Sequence, residues 1–310
     1  MDRRAFLQAG AGLGLSLTGF GATAAVPDKQ YQKGASPWPL CLNTSTIRPT
    51  PLKDKIQIAA ETGYDAVELW IDDLEKHEVD GGDLKALGAE IKDRGLFVIN
   101  VIGLWGGMPA GEDEWQKSLE ATRNRMRMSA AVGSKHVAVL PLPDRDDFDL
   151  KWAAGKYKEL LNLGRNDYGI LPAFEFVGFF KTVYRLGQAA AVALDANDAD
   201  AKIIADTFHL HRGGSGFEGI RHLNGNFIAS FHWNDVPAEP PADQLKDEHR
   251  IYPGDGILPI KRALQQLAEI GYTGPLSLEL FNREHWQQDP KQVAATGREK
   301  ILAGVTAALG

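Results

Sequence analysis

A single cysteine, Cys41, occurs in 310 residues. No intramolecular disulfide is available, so even in an oxidising compartment stability must come from a packed core, and a chain of this length can bury one. An excess of positive charge is also missing: the formal net charge is −7. Nucleic-acid backbones are bound through clustered Lys and Arg, so the composition argues against such a partner. Beyond the first 25 residues no segment offers the ~20 apolar residues of a membrane-spanning helix. No P-loop and no basic cluster near strand ends marks a phosphate site. No linker, charge block or low-complexity tract divides the chain, which reads as one domain over residues 26–310.

The first 25 residues read as an address. Arg3-Arg4 precedes Ala5-Phe6-Leu7, followed by a weakly apolar, glycine-rich stretch over 9–20 and the small-residue pattern Ala22-Thr23-Ala24. This order predicts a twin-arginine export signal with the mature chain starting near Val26. The expected product is a soluble periplasmic protein, carried by the twin-arginine export machinery and not inserted in the membrane after signal cleavage. Removing the segment removes a net +1 (Arg3, Arg4 and Asp2) and leaves −8. An oligomer is compatible with all of this.

What the rest of the chain does contain is one repeated unit, a helical stretch that stops at a glycine before an apolar strand. IAAETGYDAVELW puts Gly63 at the junction, IKDRGLFVINVIG puts Gly95 there, AAVGSKHVAVLP Gly133 and LAEIGYTGPLSLELF Gly271. Glycine just past a helix end accepts the left-handed conformation that stops the helix. Thr50 is the expected N-cap of an early helix, with Pro51 in its first turn. Ile260, Leu264, Leu267 and Gly271 share one face of the last clear helix. Strands are expected near 40–43, 66–70, 96–102, 136–140, 172–176, 203–206, 228–232 and 276–280. Most start about 25–40 residues apart, the length of a βα unit. Eight units predict an α/β chain folded as a (β/α)8, or TIM, barrel. A doubly wound open sheet is the alternative, but no G-x-G-x-x-G follows the first strand.

Four of these segments carry ionisable residues inside apolar runs: AFEFVGF with Glu175, ADTFHLH with Asp206, SFHWND with His232 and LSLELF with Glu279. Burying one unpaired carboxylate is expensive, so three carboxylates and an imidazole converging on a divalent cation is the economical reading. In a barrel they sit at the C-terminal ends of strands five to eight, where such folds place their active sites. Glu68, in AVELW, lies at the same level on strand two.

These motifs resemble the xylose-isomerase-like barrel superfamily of sugar isomerases and epimerases, and within it the inosose isomerases. LCLNTSTI, GYDAVELW, AFEFVGF, IIADTFHLHRGG, DEHRIYPGDG and IGYTGPLSLELF carry the resemblance from Leu40 to Ile301. The resemblance implies one divalent metal ion (Mn2+, Co2+, Zn2+ or Mg2+) on Glu175, Asp206, His232 and Glu279. It implies that Glu175 and Glu279 are also the paired acid/base carboxylates, and that His209 and Arg250 contact substrate oxygens. Phe179 departs from the pattern, standing where an inosose isomerase would have histidine, and so does the export signal.

The expected activity is a metal-dependent isomerisation or epimerisation of a small keto-sugar or inosose through an enediolate, with the cation as Lewis acid and the two glutamates moving the proton. The same groups would serve a lyase, a dehydratase or a 3-keto-glycoside-cleaving enzyme. A DNA endonuclease of the same superfamily needs a basic face, and a non-catalytic sugar-binding protein would not need both glutamates. Other roles stay open residue by residue. Glu175 could pair with a core arginine, Asp206 could cap a helical turn, and His232 could be a satisfied core histidine. Arg250 could pair with Asp247 or Asp255, while Glu68 could bond a substrate hydroxyl or pair across the barrel. Trp70, Trp105 and Trp233 could stack on a sugar ring, Trp105 being the preferred candidate, or sit in the core.

Overall fold

The computed structural model of the protein describes Asp28 and residues 30–310, so the expected export signal lies outside the described residues. Eight parallel strands close into a barrel in sequence order: β1 (Leu40–Asn43), β2 (Ala66–Trp70), β3 (Phe97–Leu104), β4 (His136–Val139), β5 (Leu171–Glu175), β6 (Ile203–Asp206), β7 (Ile228–Trp233) and β8 (Leu276–Leu278). Around them lie α1 (Leu52–Glu61), α2 (Ile71–Val79), α3 (Leu84–Asp93), α4 (Glu112–Ala131), α5 (Leu150–Leu163), α6 (Leu186–Asp195), α7 (Thr207–Arg212), α8 (Ile260–Glu269) and α9 (Pro290–Leu309). No helix among the described residues is long and apolar enough to cross a membrane.

The glycine stops act as their spacing implies. Gly63, Gly95, Gly133 and Gly271 all have positive φ, from 69° to 83°. At Gly63 the turn closes with Gly63 N–H donating to Ala60 O and Tyr64 N–H to Ala59 O, which satisfies the last carbonyls of α1. The start of α1 differs from expectation. Pro51, not Thr50, is the N-cap, and no side chain caps the helix. A proline ring fixes φ near −58° here while ψ stays extended at 146°, so the helical turn begins one residue later.

Alternation along the strands divides the side chains into two layers. Leu42, Val67, Phe174, Phe231 and Trp233 join α1 Ile56, α3 Leu87 and α8 Leu264 in one continuous core between sheet and helices. The barrel's inside is filled by a smaller cluster of Ile102, Ala138, Ala173, Ile204 and Ala229, with Trp70 and Leu140 packed on it. Two residues beyond Ala173 and Ile204 come Glu175 and Asp206, on the same inward face and one layer nearer the C-terminal mouth.

Candidate functional site

The strands bring Glu175, Asp206, His232 and Glu279 together. One ligand atom from each lies within 4.8 Å of all the others, and all four residues are buried. Asp206 and His232 are paired in register across β6 and β7. Glu279 stands one residue past β8, where its N–H makes a last stretched bond of 3.4 Å to Trp233 O. His232 Nδ1 is the centre of the group. Glu175 Oε1 and Glu279 Oε2 are each 3.1 Å from it and Asp206 Oδ2 is 3.7 Å away, yet Nδ1 makes no well-angled hydrogen bond.

The other ring nitrogen explains why. His232 Nε2 donates to Glu68 Oε1 at 3.0 Å, so in the neutral ring Nδ1 carries a lone pair facing three carboxylates. Only a proton or a cation at that spot makes the arrangement favourable. Burial alone would lower the His232 pKa, but Glu279, Glu68 and Glu175 overcome it and hold it well above the usual value. The residues therefore fit a divalent cation: a buried nitrogen without a partner, three carboxylates around it, and a carboxylate fixing the ring from behind, as metal-bound histidines commonly have.

Glu68 takes the second of the two roles open to it. It is completely buried, and both its oxygens are taken. Oε1 accepts from His232 Nε2 and from Asn100 Nδ2 at 2.7 Å, while Oε2 accepts from Ser277 Oγ at 2.6 Å and Asn43 Nδ2 at 3.0 Å. The expectation that Glu68 contacts substrate is corrected: it pairs across the barrel and does not reach the cavity. Burial raises the Glu68 carboxyl, but His232 and the hydrogen bonds bring it below its ordinary value.

Asp206 takes the capping role and still keeps one oxygen in the group. Oδ1 caps α7 by accepting from Phe208 N–H at 2.6 Å and His209 N–H at 3.3 Å, which leaves Oδ2 for the site. Arg250, 1% exposed, donates from Nη1 to Asp206 Oδ2 at 2.6 Å and to Glu279 Oε2 at 2.9 Å. Its Nη2 lies 2.9 Å from Asp247 Oδ1. Burial pushes Asp206 up, but Arg250, His209 and His232 hold it well below the carboxylate range. For Glu279 burial wins over His232 and Arg250, and its carboxyl is pushed up to about 7.

Above the cluster opens a cavity of about 200 Å3, lined by Glu175, Glu279, His209, Arg250, Asp247 and Trp70 among others. His209 is buried, with Nδ1 lacking a partner and Nε2 3.3 Å from Arg250 Nη2. Phe179 stands edge-on to the His209 ring at 5.6 Å and also lines the cavity. One aromatic expectation, for Trp105, is corrected, and Trp233 takes the core alternative left open to it. Trp105 lies behind Trp70, at 6.4 Å between ring centroids, and does not line the cavity. β3 runs two residues longer than expected, to Leu104, with a register irregularity between Ile102 and Leu104. Trp233 points outward from β7 into the core.

The family description "Xylose isomerase-like TIM barrel" matches residues 56–302, most of the chain. The chain belongs to this family. Within it, the inosose isomerase of Bacillus licheniformis is 25% identical over 277 residues, covering 86% of this chain and 98% of that protein. A 3-dehydroshikimate dehydratase of Pseudomonas putida is 23% identical, over 81% of this chain and 39% of that longer protein. Among solved structures, the IolI protein with a bound zinc atom superposes with a TM-score of 0.80 at 24% identity, over 86% of this chain and 98% of that one.

Against this xylose isomerase-like frame, several residues that position the site lie within the quoted motifs but do not stand out in the sequence. Asn43 is a hub: Nδ2 donates to Glu68 and to Glu279 Oε1, and Oδ1 accepts from Trp70 Nε1 and Ser45 N–H. Asp235 is another. It accepts from the backbone N–H groups of Gly254, Gly256 and Leu258 at 2.9–3.1 Å, which pins the loop that carries Asp247 and Arg250. A Cβ on Gly256 would lie 2.0 Å from Val236 O, so only glycine lets the loop lie this close.

Proposed function

We propose that the protein is a divalent-metal-dependent isomerase or epimerase of a keto-sugar or inosose, acting by proton transfer next to a ketone. One observation carries the reading. Glu175 and Glu279 both border a cavity of about 200 Å3 directly above the cation-demanding set they share with Asp206 and His232. The 25% identical inosose isomerases support the substrate class.

Glu175, Asp206, His232 and Glu279 would hold the metal, which when bound supplies Lewis acidity to a ketone oxygen and the hydroxyl beside it. The remaining work falls to the chain. Glu175 and Glu279 both border the cavity, within reach of a carbon beside the ketone, where a carboxylate can remove and return a proton. Glu175 comes from β5 and Glu279 follows β8, so a proton taken by one carboxylate can be returned by the other. Arg250 lines the cavity with its N–H groups held by Asp206, Glu279 and Asp247, so it fixes those carboxylates, and His209 beside it is left as the donor to a substrate oxygen. Trp70, Ile102, Val177 and Phe281 give it an apolar wall that limits water. The twin-arginine pattern at Arg3-Arg4 supports a periplasmic location, where the substrate would be met.

The dehydratase relatives favour a second reading in the same pocket: loss of a group β to the ketone after the same proton abstraction. Incubation of metal-loaded protein with keto-sugars and inososes in D2O, followed by NMR, tests both. Isomerisation or epimerisation puts deuterium beside the ketone and conserves mass, whereas elimination loses a fragment. Neither exchange beside the ketone nor loss of a fragment in any member of the panel would refute both.

A further inference from the structure

The inner cavity opens onto a much larger one. An outer cleft of about 980 Å3 shares Phe179, Asp247 and Phe281 with the 200 Å3 inner cavity, so the two are adjoining chambers of one entrance. Ligand sites for small molecules span about 300–1,000 Å3. At about 200 Å3 the inner chamber falls below that range and has room for one ring at most, while the outer one, at its upper end, has space that a single ring leaves unused.

The outer chamber's lining suits a sugar rather than a purely apolar guest. Phe179, Phe281 and Trp286 offer aromatic surfaces, while Asp247, Glu248 and Arg283 offer charged hydrogen-bonding groups. Trp286 is held in place, with Nε1 donating to Ser45 O at 2.9 Å. Glu248 and Arg283 pair at 3.0 Å at the rim, and both keep substantial solvent contact. Asp247 belongs to both chambers: Arg250 of the inner one fixes its Oδ1.

We propose that the outer cleft is a second binding subsite, and that the substrate is a two-ring molecule. Its ketone-bearing ring enters the inner chamber, and a second sugar ring, joined through a glycosidic oxygen, lies against Trp286 and Phe281 with its hydroxyls toward Asp247 and Glu248. This rests on the keto-sugar reading of the inner site and adds the size of the molecule that site receives.

Calorimetric titration of the metal-loaded protein tests it with two probes: the methyl glycoside of 3-keto-glucose, and that of cellobiose bearing the same ketone in its non-reducing ring. The two-ring probe should bind about tenfold tighter or more, the effect of one well-packed aromatic anchor. Trp286→Ala should remove that advantage and leave the affinity for the one-ring probe unchanged. Because Trp286 also anchors the backbone at Ser45, the exposed Arg283→Ala and Glu248→Ala variants provide an independent check. At least one of them should weaken the two-ring probe alone. Equal affinities for the two probes, or variants that weaken both probes alike, would overturn the subsite while leaving the inner site intact. Failure of both probes to bind at all would overturn the keto-sugar reading and the subsite together.

Discussion

Replacing Glu68 by glutamine tests whether the site depends on a residue that never touches substrate. Four donors converge on its two carboxylate oxygens: His232 Nε2 and Asn100 Nδ2 on Oε1, Ser277 Oγ and Asn43 Nδ2 on Oε2. A glutamine can keep its oxygen on the His232 side, but its NH2 then faces two donors. Ser277 can rotate its hydroxyl to accept. Asn43 cannot flip its amide, because Oδ1 is held by Trp70 Nε1 and Ser45 N–H while Nδ2 also serves Glu279. One buried donor is left opposed, at a cost of about 1–3 kcal/mol. His232 also loses its charged partner, so the total destabilisation should be roughly 2–4 kcal/mol. For the metal, loss of the carboxylate behind a ligating histidine typically weakens affinity about 10- to 100-fold. Competition titration of Zn2+ or Mn2+ against a chromogenic chelator reads the affinity, and thermal unfolding of the metal-free protein reads the stability. A Glu68→Gln variant with wild-type metal affinity would refute the claim that Glu68 orients His232 for a cation.

Three other outcomes follow from the same geometry. Glu175→Gln and Glu279→Gln, assayed at saturating metal, should each lower turnover by about 10²–10⁴, and the double variant should lose far less than the product; near-wild-type turnover of either would reduce that residue to a ligand. His136 is buried beneath the barrel and its pKa is lowered by burial from 6.5 to about 4, so the unfolded chain binds its proton first as pH falls. Stability should therefore be full above pH 6.5 and drop by on the order of 3 kcal/mol by pH 4; denaturant titrations of His136→Leu should show this part of the slope gone, and an unchanged slope would assign it elsewhere. Changing Arg3 and Arg4 to Lys should leave the precursor in the cytoplasm by cell fractionation, and mature protein outside the inner membrane would rule out the twin-arginine route.

The barrel was legible because its signals are local. A glycine after four of the helices and an apolar run behind it need only a few residues to recognise, and all eight expected strands are present. Glu175, Asp206, His232 and Glu279 were legible for a different reason: an ionisable group inside a buried strand has few inexpensive explanations. Glu68 gave the same signal, but its role depended on which strands meet at its level, and register across a closed barrel is not written in one strand. Asn43, Asn100 and Ser277 were missed because a small polar residue in a strand is ordinary until its partners are known. Trp105 was misplaced because a tryptophan just past a strand end gives no sign of whether it lines a cavity or packs on a neighbouring ring.

The loop pinned by Asp235 has a consequence for how such an enzyme can change. The set around His232 comes from strand ends, whereas Lys246, Asp247, Glu248 and His249 of the outer cleft all belong to the one loop between β7 and α8. That loop is tied down at Gly254, Gly256 and Leu258 by a single carboxylate on the barrel side. Its tip can therefore be lengthened, shortened or exchanged as a cassette, provided Asp235, Arg250 and Gly256 are kept. That side of the outer cleft can then change without disturbing the strand-end residues around His232.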